Sequence, residues 1–195
     1  MARPKEFDRD AALSSAMNLF WQKGYEGAST DELLSAMRIG RQSMYDTFGD
    51  KHKLFMEALA CYHEGNGMVL GRYPAEGLTP LGVIGLFLGH FADMAPEDRA
   101  RGCMGINATT AFGQSDPQVT ALARRTAELS QAIIERQIRA AQAAGELAAT
   151  LDAPEAASFL YATLQGLTVR AQAGASPEEL RHAADFAMRA LKAMT

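Results

Sequence analysis

The chain has 195 residues, 48% of them hydrophobic, with a formal net charge of −4 and two cysteines. That length suits one extended or two modest domains with a real core. A membrane span is excluded: the longest apolar run, Leu81 to Phe91, contains Gly82, Gly85, Gly89 and His90 and falls far short of about 20 residues. Met1 to Lys5 lacks the apolar region of a signal peptide, so a cytoplasmic location is expected, with Cys61 and Cys103 as free thiols. His52, His63, His90 and His182 have no metal-ligand spacing, and neither metal nor cofactor is implied.

An arm with Arg3 and Lys5 opens the chain. Further on, Ser29-Thr30-Asp31-Glu32 sets a hydroxyl three positions before a Glu, a capping box that predicts a helix from about Thr30. Leu33, Leu34 and Met37 form its apolar stripe, and Arg38-Ile39-Gly40 interrupts it. Ile39 is expected to plug the core between helices, and a second stripe follows in Met44, Tyr45 and Phe48. Gly49 suits a left-handed cap, and Asp50 can cap a third helix that begins with Lys51 and Lys53.

The outward face of the second helix carries Arg41, Gln42, Ser43, Asp46 and Thr47. These side chains suit a major groove. Arg can grip guanine, Gln can grip adenine, Ser and Thr can bond base edges or phosphates, and Asp can accept from the cytosine amino group. Tyr45, Lys51 and Lys53, with the N–H groups at the starts of the Thr30 and Lys51 helices, would hold phosphates. Met1 to Lys53 carries eight basic and eight acidic residues, so a few placed cations must supply the attraction to DNA. A helical hairpin with a merely solvated face is the alternative on spacing alone.

Residues 7 to 62 resemble the N-terminal domain of the TetR family of transcriptional repressors. Ala12, Ala16, Leu19 and Phe20 match its first helix, Gly24-Tyr25 its Gly-aromatic pair, and Tyr45 to Lys51 its aromatic-x-x-Phe-x-x-Lys run. Arg38 stands where that family usually has Gly, and Gly40 where Ser or Thr usually caps the recognition helix. Gln42, Asp46 and Thr47 replace the commoner Gly, aromatic and His, so base preference cannot be copied from relatives.

Beyond Tyr62 the sequence stays helical. The Lys51 helix is expected to reach about Leu70, before a loop from Gly71 to Gly77. Helices are then predicted over about Thr79–Met94, Gly105–Phe112, Pro117 to Gly145, Ala153–Ala173 and Pro177–Met194. Ala95 to Arg101 reads as a charged connector. In the long helix Val119, Leu122, Leu129, Ile133, Ile134 and Ile138 form the apolar stripe. The expectation is an all-α chain of about nine helices: a three-helix helix-turn-helix DNA-binding domain over residues 1–50, and a helical effector-binding and dimerisation domain over 51–195.

The last two helices show apolar seams, Phe159, Leu160, Thr163, Leu164 and Leu167 in one and Leu180, Ala184, Ala187, Leu191 and Met194 in the other. Such seams either close a monomer core or meet a second copy. The resemblance implies a homodimer through these helices, and hence a pseudo-palindromic double-stranded operator. Phe87, His90, Phe91, Met94, Met104, Asn107, Phe112, Tyr161 and Gln165 have the composition of an apolar pocket with sparse polar anchors for a small-molecule effector, with ordinary core packing as the alternative.

Arg99 to Met104 sets Cys103 between two cations and a helix start, a setting that favours thiolate; a small buried hydrophobe is the other reading. The stretch from Gly102 to Pro117 resembles a TetR subgroup that includes repressors released by electrophiles or oxidants. An enzyme is disfavoured by the lack of a phosphate-cradling Gly loop, a nucleophile elbow or a spaced acid/base pair. A helical ligand-binding or scaffold protein that has lost specific DNA binding is the remaining alternative.

Overall fold

The computed structural model describes residues 7–66 and 77–194, and every regular element among them is a helix. In chain order these are α1 (Arg9–Gly27), α2 (Thr30–Met37), α3 (Arg41–Phe48), α4 (Lys51–Asn66), α5 (Pro80–Asp93), α6 (Pro96–Arg101), α7 (Met104–Phe112), α8 (Pro117–Ala143), α9 (Ala153–Gln172) and α10 (Pro177–Ala193). The expected helix end near Leu70, most of the following loop, and Arg3 and Lys5 lie outside the described residues. The expected connector at Ala95 to Arg101 is instead helical over α6. Pro96 at its start, Glu97 and Asp98 in the first turn, and Arg99 and Arg101 in the last all suit a helix and its dipole. Among the described residues, no helix is long and apolar enough to cross a membrane.

The chain packs as two compact units, which do not divide at residue 50. One gathers α1–α4 with Cys103–Ala123, that is, α7 and the first turns of α8. Asp8 caps α1 by accepting from the N–H groups of Asp10 and Ala11. Gly24, at φ 72 and ψ 175, interrupts that helix in a conformation that only glycine adopts easily. Phe20, Leu33, Met44, Leu54, Leu59 and Val119 fill the core. Tyr25, Phe55 and Phe112 form an aromatic triangle, with centroids 5.1 to 5.5 Å apart.

The other unit comprises Gly67–Gly102 and Arg124–Thr195, and its described helices are α5, α6, the remainder of α8, α9 and α10. Thr79 caps α5, Asp152 caps α9, and Ser176 with Glu179 forms the expected capping box of α10. Its core includes Ile84, Leu88, Ile138, Leu160, Leu180 and Leu191. The seam residues Leu160, Leu164, Leu167, Leu180, Ala184, Ala187 and Leu191 are therefore spent on this monomer's own core. Phe159 and Met194, also in those seams, are 39% and 36% exposed, and Leu129 of the long-helix stripe is 50% exposed.

Candidate nucleic-acid interface

Helix α2 starts where the capping box places it. The Ser29 hydroxyl oxygen accepts from the Glu32 N–H at 3.3 Å, and the Glu32 carboxylate accepts from the Ser29 N–H at 3.0 Å. Lys23 of α1 also donates to that carboxylate. Lys23 and Ser29 together hold the Glu32 pKa down to about 2. The helix ends at Arg38, whose φ of 56 and ψ of 41 are left-handed, and Ile39 turns into the core after it. An L-residue with a Cβ takes that conformation at a cost of roughly 1–2 kcal/mol.

Helix α3 follows with Gly40 as its N-cap and no side-chain cap. Met44 and Phe48 are buried, which turns Arg41, Gln42, Tyr45 and Asp46 outward, with Ser43 and Thr47 half-buried on the flanks. Tyr45 is a correction to the apolar stripe: it is 45% exposed, because a helix that buries positions 44 and 48 carries position 45 about 100° from Met44 and about 60° from Phe48, on the outer side of the buried face. Its exposure fits the other role expected for it, a phosphate contact. Gly49 has a positive φ of 85 as expected, but its ψ of −88 is not that of a left-handed helical cap. Asp50 caps α4, accepting from the Lys53 N–H at 2.8 Å.

Two acidic residues shape this face. Asp31 of α2 accepts from Arg41 Nη2 at 2.6 Å, and Asp46 accepts from Gln42 Nε2 at 2.8 Å. Sequence reasoning missed the first, although an acid in the first turn of α2 and an Arg opening α3 were its signal. Lys51 sits over the Tyr25 ring at 4.5 Å, which fixes the ammonium beside the start of α4. Thr30, at the first position of α2, is half-buried. His52 next to Lys51 bonds Asp116 at 2.5 Å, and this partner holds the Asp116 pKa below its ordinary value. A pair 64 positions apart could not be read from spacing.

The expected effector residues fall into both units. Phe87, Phe91 and Tyr161 pack against the core of the second, where Ile84, Phe87, Leu88, Ile134, Leu160 and Leu164 line an apolar niche too narrow for a water molecule. His90 and Met94 are half-buried in the same unit, and burial lowers the His90 pKa. Gln165 points to solvent. Met104, Asn107, Phe112 and Cys103 belong to the first unit, where Met104 is buried and Phe112 completes the aromatic triangle. Cys103 is a free thiol, half-buried at the N-cap of α7. Its Sγ lies 3.7 Å from the point where a Gly105 Cβ would stand, and His63 Cε1 lies 2.5 Å from that same point. Only a glycine fits there, and it leaves thiol and imidazole around one small space. Burial lowers the His63 pKa, because it penalises the charged imidazolium.

An all-helical chain in which a capped helix and a tight turn present a second helix, polar face outward, is built as a DNA-binding transcription regulator. Residues 12–58 match the family described as "Bacterial regulatory proteins, tetR family", and residues 84–187 match "Tetracyclin repressor-like, C-terminal domain". The chain is 32% identical to the HTH-type transcriptional regulator YezE of Bacillus subtilis (strain 168), over 98% of this chain and 100% of that one. It is 31% identical to the HTH-type transcriptional repressor ComR of Escherichia coli (strain K12), over 96% and 90%. A cysteine-substituted TetR family regulator, CifR, solved with 26 bp double-strand operator DNA, matches at a TM-score of 0.84 and 32% identity, covering 97% of this chain and 100% of that one. The chain belongs to the TetR family of transcriptional regulators. The family and these relatives regulate transcription and are not enzymes.

Proposed function

We propose that this chain is a cytoplasmic homodimeric repressor that binds a pseudo-palindromic operator and is released by a small-molecule or thiol-reactive effector. The observation that carries the reading is α3, anchored by Met44 and Phe48 with Arg41, Gln42, Tyr45 and Asp46 outward. Arg41, Gln42, Ser43, Asp46 and Thr47 would meet base edges, while Thr30, Tyr45 and Lys51 would meet phosphates. The operator-bound CifR supports the DNA partner.

For self-association, α9 exposes Phe159, Ala162, Gly166 and Val169 at helical spacing, and α10 exposes Phe186 at 65%. Nothing lies within 4 Å of a Cβ built on Gly166, so the monomer leaves room for a second helix to approach there. This outward stripe replaces the buried seams as the dimer face, because apolar surface of this kind marks an interface. Two copies would set two α3 helices about one DNA turn apart.

For release, Cys103 is the sensing thiol of the reading, half-buried beside the small space that Gly105 leaves, with the His63 ring on the same space. The resemblance to electrophile-released repressors and the apolar packing of Phe87, Phe91 and Tyr161 beside half-buried His90 and Met94 support effector control. An effector biases the helix starting at Lys51, and with it the separation of the reading heads, only through its differential affinity for the two states.

Gel shift on the DNA flanking the chain's own gene, at two salt concentrations and with or without an alkylating electrophile, tests this. The expected result is a salt-sensitive complex that dissolves on alkylation in wild type but not in Cys103→Ser. Arg41→Ala should cost about 1–3 kcal/mol on the preferred site and blur base choice, whereas Lys51→Ala should weaken all sequences alike. Equal losses on every sequence for both variants would remove α3 as the reading helix.

A further inference from the structure

Gln42 and Asp46 lie one turn apart on the outward face of α3, both exposed, and Gln42 Nε2 donates to Asp46 Oδ1 at 2.8 Å. A carboxylate only accepts, so this bond fixes how the amide lies, with nitrogen toward Asp46 and Oε1 away from it. Such a bond biases a Gln that alone could turn its amide over and present either a donor or an acceptor. What remains at this part of the face is Oε1 of Gln42 and the two oxygens of Asp46, against a single uncommitted amide N–H. Arg41, one residue earlier, cannot reverse that balance while Asp31 holds its guanidinium at 2.6 Å.

We propose that Gln42 and Asp46 act as one acceptor unit that selects a base with an exocyclic amino group in the major groove, cytosine N4 or adenine N6, and rejects guanine and thymine at that position of each half-site. Resting on α3 as the reading helix, this adds a base class to that reading. At that strand position guanine offers only N7 and O6 to the major groove and thymine only O4 and its methyl group, while the amino group of the pair moves to the opposite strand, so either base would face the three oxygens with acceptors or carbon. Polar groups left unpaired on both sides make such a mismatch costly. Guanine recognition then falls to Arg41 alone, once DNA draws it from Asp31.

The experiment is selection from randomised double-stranded DNA with the full chain, followed by fluorescence anisotropy on duplexes changed one base pair at a time. The expected result for wild type is one position per half-site where replacing an amino-bearing base by guanine or thymine weakens binding about 10-fold or more. Asp46→Asn, whose amide also donates and no longer fixes Gln42, should shrink that contrast below about 3-fold there and leave other positions unchanged. Gln42→Met, which removes Oε1 but leaves both Asp46 oxygens, should weaken the same contrast only in part, without the charge change. Circular dichroism checks that both variants, at exposed positions, keep their helix content. Asp46→Asn discriminating as strongly as wild type would overturn the proposal, as would a wild-type preference for guanine or thymine at the position sensitive to Gln42. Failure of wild type to enrich any DNA is a separate outcome: it defeats the DNA-reading role itself and this inference with it.

Discussion

Helices α2 and α3 are each eight residues long, adjacent in the chain and anchored by two buried side chains, Leu33 and Met37 in one and Met44 and Phe48 in the other, yet their starts are supported very differently. Helix α2 carries its own local support: a complete capping box, acids in its first turn, and Lys23 on Glu32. Helix α3 has a glycine cap with no side-chain bond, no acid in its first turn, and a left-handed Arg38 just ahead of it. At eight residues neither would persist alone. Helix α3 depends on the burial of Met44 and Phe48, with the exposed Gln42–Asp46 pair adding a bond between successive turns. A reading helix that draws its stability from the core can vary its outer face without losing its place.

The largest test of that contrast is Met44→Ala. Met44 is fully buried, and losing its side chain should cost about 2–5 kcal/mol in urea denaturation and abolish DNA binding. A loss below about 1 kcal/mol would mean that α3 does not depend on its anchors. Next in size is Ser29→Ala, which should cost about 1 kcal/mol by removing the α2 cap. The same box gives a pH signature. Because Glu32 is lowered from 4.5 to about 2 on folding, its stabilisation is complete above pH 4.5 and is lost as the pH falls toward 2. Glu32→Gln should flatten wild type's loss of stability in that window and leave neutral-pH titration behaviour unchanged. Arg38→Gly should raise stability by about 0.5–1 kcal/mol, since relief of left-handed strain exceeds the added unfolded-state entropy. A destabilised Arg38→Gly would show that the Arg38 side chain contributes contacts that outweigh its backbone strain.

Features encoded within one or two turns were legible in the sequence. The Ser29–Glu32 and Ser176–Glu179 boxes, Pro117 at the start of α8 and the anchors Met44 and Phe48 all stand where their spacing places them. Features that need two distant segments were not. His52–Asp116 and the shared space of His63 and Cys103 arise from packing, for which a local pattern has no term. The apolar seams of α9 and α10 illustrate the intermediate case. Periodicity picked out the buried Leu160, Leu164 and Leu167 but also took in Phe159; the same period serves a monomer core and a dimer face, and only burial separates Leu160 and Leu167 from Phe159. Tyr45 failed for a related reason: an aromatic next to a buried Met counts as apolar by type, while its helical angle takes it to solvent.

The smallest expected effect is also the most discriminating. Gly40 has φ −76 and ψ 157, an extended conformation open to any residue, and a Cβ added there meets nothing within 4 Å. Serine at this position could therefore accept from the Ser43 N–H and give α3 the cap that α2 already has. Since Gly is itself a tolerable N-cap, Gly40→Ser should raise stability by only a few tenths of a kcal/mol, read as a small rise in urea midpoint at constant slope. Packing at Met44 and Phe48 holds α3 in place whether or not its first N–H groups are bonded, so a cap has little left to add. A gain above about 1 kcal/mol would reverse the assignment, because the uncapped start rather than the buried anchors would then limit the helix.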